Sequence, residues 1–464
     1  MIEGVFMEGK SISEGLASFL MGLVYEDLPI AVVKKAKLCI LDLFGAHFAG
    51  QNMRSCQPIK DYISNIKAEA KATVWSLGIR TLGIEAAFTN GAVAHCAIFD
   101  DMHARSISHL GSVVIPAAVS VAEEQQCSGK ELILAIVCGY EAIGRVGGAM
   151  LTPKFLQSGF RSSGTFGVFG SAAAAGKLLA LNPVQMTMAF GLAGNFGAGL
   201  MAFATEGTDD LMYQNGLASR NGFLASLLAK NGAISPRYIF EIGGGYSHAF
   251  GGNSDTLGRI LSDFGHEFEI EEVRFKSVPA CGFVQSTAQA ALEISRKVDF
   301  KTEDIKKIEL GTFPLGKHYP GVDNCGPFRK LTQAQMSNQF TIASVLVRKD
   351  LLFDNYVDFE DPLVRDLALN ITIVEDEEAK LKWPEEQLAR IAVYLKDGSI
   401  LKAVSRQPRL LDDAGVIEKC RFYLGRVLGE HACGQFIRSV QSLETLDNVN
   451  RLTELLNRDC PQKV

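Results

Sequence analysis

The chain has 464 residues, 47% apolar and 21% charged, with a formal net charge of −6. That length exceeds one ordinary core, so two or three domains are expected. The weakly acidic balance and the lack of a basic run argue against a nucleic-acid binder, and an anionic substrate requires a locally positive pocket.

Met1 to Lys10 shows no basic segment followed by an apolar run, so no secretory signal is expected. Ten cysteines are scattered without a C-x-x-C pair, and His431-Ala432-Cys433 lacks the partners of a zinc site. Free thiols in a reducing cytosol follow, with Cys39 and Cys138 as small buried hydrophobes. Up to about residue 265 the pattern is helix after helix, as at Leu16–Met21 and Val32–Phe48, with few strand signals.

The first chemically dense segment runs from Phe99 through Asp100, Asp101, His103, Arg105 and His109 to Ser112, directly before the apolar run Val113–Val119. Acids, two imidazoles and a guanidinium beside a core-type segment are costly to bury unless paired or used. Together they suggest proton transfer on an anionic substrate. A second segment, Ser158–Gly167, precedes an alanine-rich helical pattern over 168–181. Ser162 or Ser163 is expected to cap that helix, leaving an anion site at its N-terminus near Thr165, with Arg161 placed to hold a carboxylate.

From Leu178 to Thr205 no charge appears, a length that reaches across a bilayer, yet Asn182-Pro183 and several glycines interrupt it. A buried helix pair is the expectation. A third polar segment, Glu206–Gly216, includes Tyr213 and Gln214 and is expected to face the same cleft. The glycine-rich stretch Glu241–Gly252 has no preceding strand and no Lys-Ser/Thr after it, so it is not expected to cradle phosphate.

Near residue 270 the character changes. Ile308–Phe313 and Ile371–Val374 read as strands, and Ile391–Leu401 reads as a hairpin turning at Asp397-Gly398. Helical patterns at Val284–Ile294 and Gln335–Val347 lie between them. A fourth polar segment, Phe275–Phe283, opens this part. Lys276 can supply a cation or a base, and Cys281 stands near a helix start, where a thiol acidifies. After residue 404 helical patterns return at Gly415–Leu428 and Leu443–Leu456. The fold class expected is mainly α with a smaller α+β domain. Residues 1–268 and 405–464 form an all-helical domain, and 269–404 form an inserted α+β lid, with a ligand cleft between them.

These segments, in this order, resemble the MmgE/PrpD family. The likeness rests on Phe99–Ala118, Gly129–Glu141, Gly164–Leu179, Ala218–Ala229 and Lys276–Cys281. The resemblance implies a homodimer that works without metal or organic cofactor on small di- or tricarboxylates, moving a proton next to a carboxylate. His109 then matches the family histidine, Lys276 the family lysine, and Asp100 and Asp101 the acidic pair. Departures stand at Ile98, Leu110, Arg161, Leu211, Gln214 and Phe340, where the family usually carries an acid, proline, histidine, lysine, histidine and a phenol. Arg161 keeps a charge but cannot act as a base. Expected catalytic residues are His109, Lys276, Asp100 and His103. Expected substrate-binding residues are Arg161, Ser162, Ser163, Thr165, Tyr213, Gln214, Arg105 and Cys281. The expected activity is a dehydratase-type lyase. An epimerase or decarboxylase of a similar acid and a non-catalytic metabolite-binding relative are the alternatives.

Overall fold

Polar caps start the long helices, as at Ser11, whose hydroxyl and Glu14 cap the helix Ile12–Gly22 reciprocally. The same device, Ser128 with Glu131, starts Gly129–Met150. The computed structural model describes residues 9–297 and 300–456; Met1–Glu8, part of the segment read for a leader, lie outside the described residues.

The helices Gly83–His95, Gly111–Gln125, Gly129–Met150, Ser162–Leu178 and Asp210–Lys230 pack on one another in the main core. Close approach depends on glycine at two points. A Cβ on Gly91 would lie 2.7 Å from the Ser112 carbonyl oxygen, and one on Gly216 would lie 2.4 Å from that of Phe88. Those contacts bring the ends of three helices, and the polar residues they carry, to one place.

Gly129–Met150 is long and apolar enough to cross a membrane, but it is enclosed by the core. The charge-free stretch resolves into the end of Ser162–Leu178, the helix Pro183–Phe196 and a short turn of helix at Ala202–Glu206. Two features escaped the sequence pattern. One is a short hairpin, Ala72–Val74 with Ile79–Thr81. The other is a two-residue ladder pairing Met102 with Arg274 and His103 with Val273. Segments this short carry no readable alternation. Leu443–Leu456 also differs from the expected helix: it breaks into short turns, one initiated where Asn448 accepts from the Asn450 amide at 2.9 Å.

The second core is built on a four-stranded sheet. Ile371–Glu375 lies parallel to Ile305–Thr312, which is antiparallel to Ala389–Leu395, and Ile400–Ser405 closes the edge. Ala389, Ile391 and Val393 alternate inward against the helices Gln285–Lys297 and Asn338–Arg348. The hairpin turns at Gly398, where φ is 90°.

The chain then returns to the first core. Asp413–Gln441, bent at Gly429, packs along Ile30–Gly50. Lys419 crosses that interface: its ammonium donates to Asp42 at 2.7 Å and to the Phe99 carbonyl at 2.5 Å, fully buried. Burial raises the Asp42 carboxyl, and Lys419 opposes that rise. Lys419→Met therefore leaves a buried acid unpaired, and a loss of about 3–5 kcal/mol in urea denaturation is expected. Adding Asp42→Asn should recover most of that loss.

Candidate active site

Five buried side chains from separate elements close a ring of hydrogen bonds. His95 ends the helix Gly83–His95, and its Nδ1 lies 2.9 and 3.0 Å from the two Asp100 oxygens. Ser112, at the start of Gly111–Gln125, donates to Asp100 Oδ2 at 2.5 Å. Asn215 Nδ2 donates to Ser112 Oγ at 2.7 Å, and Arg161 donates to Asn215 Oδ1 at 2.5 Å. Arg161 closes the ring by donating to His95 Nε2 at 2.6 Å.

The partners fix the protons. A guanidinium only donates, so His95 Nε2 is an acceptor and Nδ1 carries the hydrogen directed at Asp100. The ring of His95 is neutral: burial lowers its pKa, and Arg161 adds to the effect against the pull of Asp100. Burial alone would raise the Asp100 carboxyl, but the His95 hydrogen bond and the Lys276 charge hold it below the usual range. Burial lowers Arg161 to about 10, still a cation at neutral pH.

His109 stands beside this ring, its centroid 4.6 Å from that of His95. Its Nδ1 lies 2.8 Å from the Asp101 carbonyl oxygen, which only accepts, so the Nδ1 hydrogen is committed there. Nε2 is left with a lone pair and no hydrogen-bond partner among the described residues. The side chain is 17% exposed, onto a cavity of about 150 Å³. Burial lowers its pKa well below 6.5, and the Lys276 charge lowers it further. Asp101 is fixed in turn by the Tyr140 hydroxyl at 2.6 Å and the Gly111 amide at 2.8 Å. Burial and the Asp42 charge raise Asp101 to about 7.

The cavity lies where the two cores meet. Ile98, Phe203 and Leu211 come from one side, and Cys281, Phe283 and Met336 from the other. Of the expected residues, His103, His109, Arg161, Ser162, Ser163 and Cys281 border it. Asp100 and Lys276 sit behind the wall. Lys276 is fully buried, donates to the Ile98 carbonyl at 2.8 Å, and is lowered to about 8 by burial.

Other expectations need correction. Arg161, not Ser162 or Ser163, is the N-cap of Ser162–Leu178. Both hydroxyls are used elsewhere: Ser162 donates to the Ile107 carbonyl, and Ser163 accepts from the His109 amide at 3.0 Å. The amides of Ser162 and Ser163 have no acceptor among the described residues, and both residues border the cavity. Thr165 is turned inward, donating to the Arg161 carbonyl at 2.9 Å. Arg105 is half exposed on another face, paired with Glu269 at 3.0 Å. Glu269 Oε2 also lies 3.1 Å from His103 Nε2 without hydrogen-bond geometry, while His103 Nδ1 meets Ser106 Oγ at 2.9 Å. Tyr213 points to the Ser55 carbonyl at 3.2 Å, and Gln214 to Leu200 and Asp210, both at 3.1 Å; helical rotation sends them away from Leu211 and Asn215. The Cys281 thiol is raised by burial rather than acidified. The nine described cysteines are free.

His95, Ser112 and Asn215 were not singled out from the sequence, although Ser112 and Asn215 lie within segments that were. Tyr319, Arg274 and Gln387, which also line the cavity, carried no local motif. Burial raises the Tyr319 phenol, so it stays protonated. His95, Asp100 and His109 place ligand atoms within 4.8 Å of one another, a metal-like spacing. The set does not suit a cation: His95 Nε2 already faces a guanidinium, and both Asp100 oxygens accept hydrogen bonds.

A neutral imidazole with one free nitrogen, cations around it and an enclosed cleft between two lobes define an enzyme site for acid–base work on an anion. Models of the MmgE/PrpD N-terminal and C-terminal domains match residues 14–257 and 278–445. The chain belongs to the MmgE/PrpD family. It is 27% identical to a cis-aconitate decarboxylase of Aspergillus terreus, over 98% of this chain and 97% of that protein. It is 28% identical to a cis-aconitate decarboxylase-like protein of Aspergillus oryzae, over 97% of this chain and 98% of that one. A cis-aconitate decarboxylase of Homo sapiens is 26% identical, over 98% and 96%. Family and relatives together make this an enzyme of the lyase type.

Asp100 carries the negative charge of the ring. Asp100→Asn should cost about 3 kcal/mol or more in urea denaturation, because Arg161 and Lys276 lose a buried counter-charge. Ser112→Ala removes one donor and should cost about 1–3 kcal/mol. A parent-like midpoint for Asp100→Asn would show that the ring does not hold these cations.

Proposed function

We propose that the protein is a cofactor-independent lyase of the dehydratase type acting on a small di- or tricarboxylate. His109 Nε2 takes the proton from the carbon next to a carboxylate. The C–H pair becomes the new C=C bond, the β-hydroxyl leaves, and a proton from the cavity wall completes water. Tyr319, a protonated phenol on that wall, is the donor we assign. The spare N–H groups of Arg161, the amides of Ser162 and Ser163, and the Lys276 charge behind the wall offset the charge that develops. The observation that supports this reading is the His109 geometry: Nδ1 is tied to a carbonyl and Nε2 is free toward the cavity.

Decarboxylation is the second reading, favoured by the names of the relatives. It breaks a C–C bond in place of C–H and C–O, and a proton is then added to carbon.

The test is a screen of citrate, 2-methylcitrate, cis-aconitate, tartrates and iminodisuccinate by NMR in deuterated water. It separates water loss, carbon dioxide release and bare exchange. His109→Ala should lower turnover about 10²–10⁴-fold. Turnover equal to the parent removes His109 from the chemistry.

The pH profile gives a signed test. Because His109 is lowered, the acid limb of kcat/KM should lie below 6.5, and the alkaline limb near 8 should follow Lys276 losing its charge. Lys276→Met removes a cation that disfavours imidazolium, so the His109 pKa rises. The acid limb should move to higher pH and the alkaline limb should vanish. An acid limb that stays in place or moves down counts against the coupling.

A further inference from the structure

One charged group on the cavity wall has no partner. The Arg274 backbone is fixed by its pairing with Met102 beside the site loop. Its side chain lines the cavity, and its guanidinium makes no ion pair, hydrogen bond or ring contact among the described residues. Arg161 differs, having committed three of its five N–H groups to Leu211, Asn215 and His95. Among the described residues no carboxylate lines the cavity. Gln387 is buried on the same wall with Oε1 lacking a donor, so it calls for an incoming O–H or N–H.

One part of the remaining wall is hydrocarbon. Ile98, Phe203, Leu211 and Met336 belong to one apolar cluster, and Trp383 is held against it by stacking on Phe313, with centroids 4.5 Å apart. Two guanidinium groups can each pair one carboxylate. A third carboxylate set against this apolar part would be desolvated there without a partner, which is costly.

We propose that the substrate is a hydroxylated dicarboxylate with an uncharged hydrocarbon arm. One carboxylate sits on Arg274 and the other on the spare N–H groups of Arg161 with the Ser162 and Ser163 amides. The hydroxyl donates to Gln387 Oε1, and the arm fills the apolar wall. This rests on the cavity being the substrate site of the lyase described above.

Calorimetry with 3-isopropylmalate and citrate as probes tests it. The unmodified protein should bind 3-isopropylmalate at least about tenfold more tightly than citrate. Arg274→Gln should weaken 3-isopropylmalate binding about tenfold or more, while its ligand-free melting curve stays that of the parent, since Arg274 holds nothing in place. Leu211→Lys, which puts a cation into the apolar wall, should reverse the preference toward citrate. Equal or tighter binding of citrate by the parent overturns the substrate class, as does an Arg274→Gln variant that binds like the parent. Turnover of citrate without the preference would sink the substrate class and leave the reaction standing. The preference without turnover of any acid would do the opposite.

Discussion

The site depends on one buried carboxylate. Asp100 has no solvent contact, yet it stays ionised because His95 and Ser112 donate to it and cations lie close by. Arg161 does not touch Asp100. The neutral His95 ring lies between them, giving its hydrogen to the acid and its lone pair to the guanidinium. The arrangement links the acid and the guanidinium through an imidazole whose protonation burial and Arg161 disfavour. Every polar atom of the ring that faces a ring neighbour is used, which is the condition under which a buried network stabilises.

The loop carrying Asp100 and Asp101 is held in an uncommon shape. Ile98 and Ile107 both have positive φ, 50° and 47°, where a β-branched residue is strained by about 1–3 kcal/mol. The loop is pinned from several directions. Lys276 binds the Ile98 carbonyl, Gln335 the Ala97 carbonyl at 2.7 Å, and Lys419 the Phe99 carbonyl. Two of these donors come from the part of the chain that carries the small sheet and one from the returning C-terminal helix. The position of His109 is therefore set jointly by both cores.

Regular periodicity made the long helices, the four strands and the Asp397-Gly398 turn legible, because each repeats a pattern over many residues. The two-residue ladder at Met102–His103 was not legible, having too few residues to repeat anything. Within the site, His109, Arg161 and Lys276 could be read because each stands in a dense polar segment. His95 ends an apolar helix, and nothing local marks it; only the fold brings it to Asp100. Tyr213 and Gln214 failed for the reverse reason. Proximity in sequence suggested a shared direction, but a helix turns neighbours about 100° apart, so Leu211 and Asn215 face the site while those two do not.

The distribution of titratable groups also bears on the elimination we propose. Among the described residues of the cavity wall, His109 offers a basic nitrogen with neither a hydrogen-bond nor an ion-pair partner. His95 spends both nitrogens within the ring, His103 has Nδ1 on Ser106 and Nε2 3.1 Å from the Glu269 carboxylate, and burial keeps Cys281 and Tyr319 protonated. Epimerisation needs a proton removed from one face and returned to the other, which calls for two groups cycling between acid and base. Elimination needs one base and one acid, each used once per turnover. A protonated phenol and a neutral imidazole lining one cavity suit the elimination we propose. On this reading Arg161, where the family usually has histidine, gives up a second titratable group for a fixed cation that orients the first.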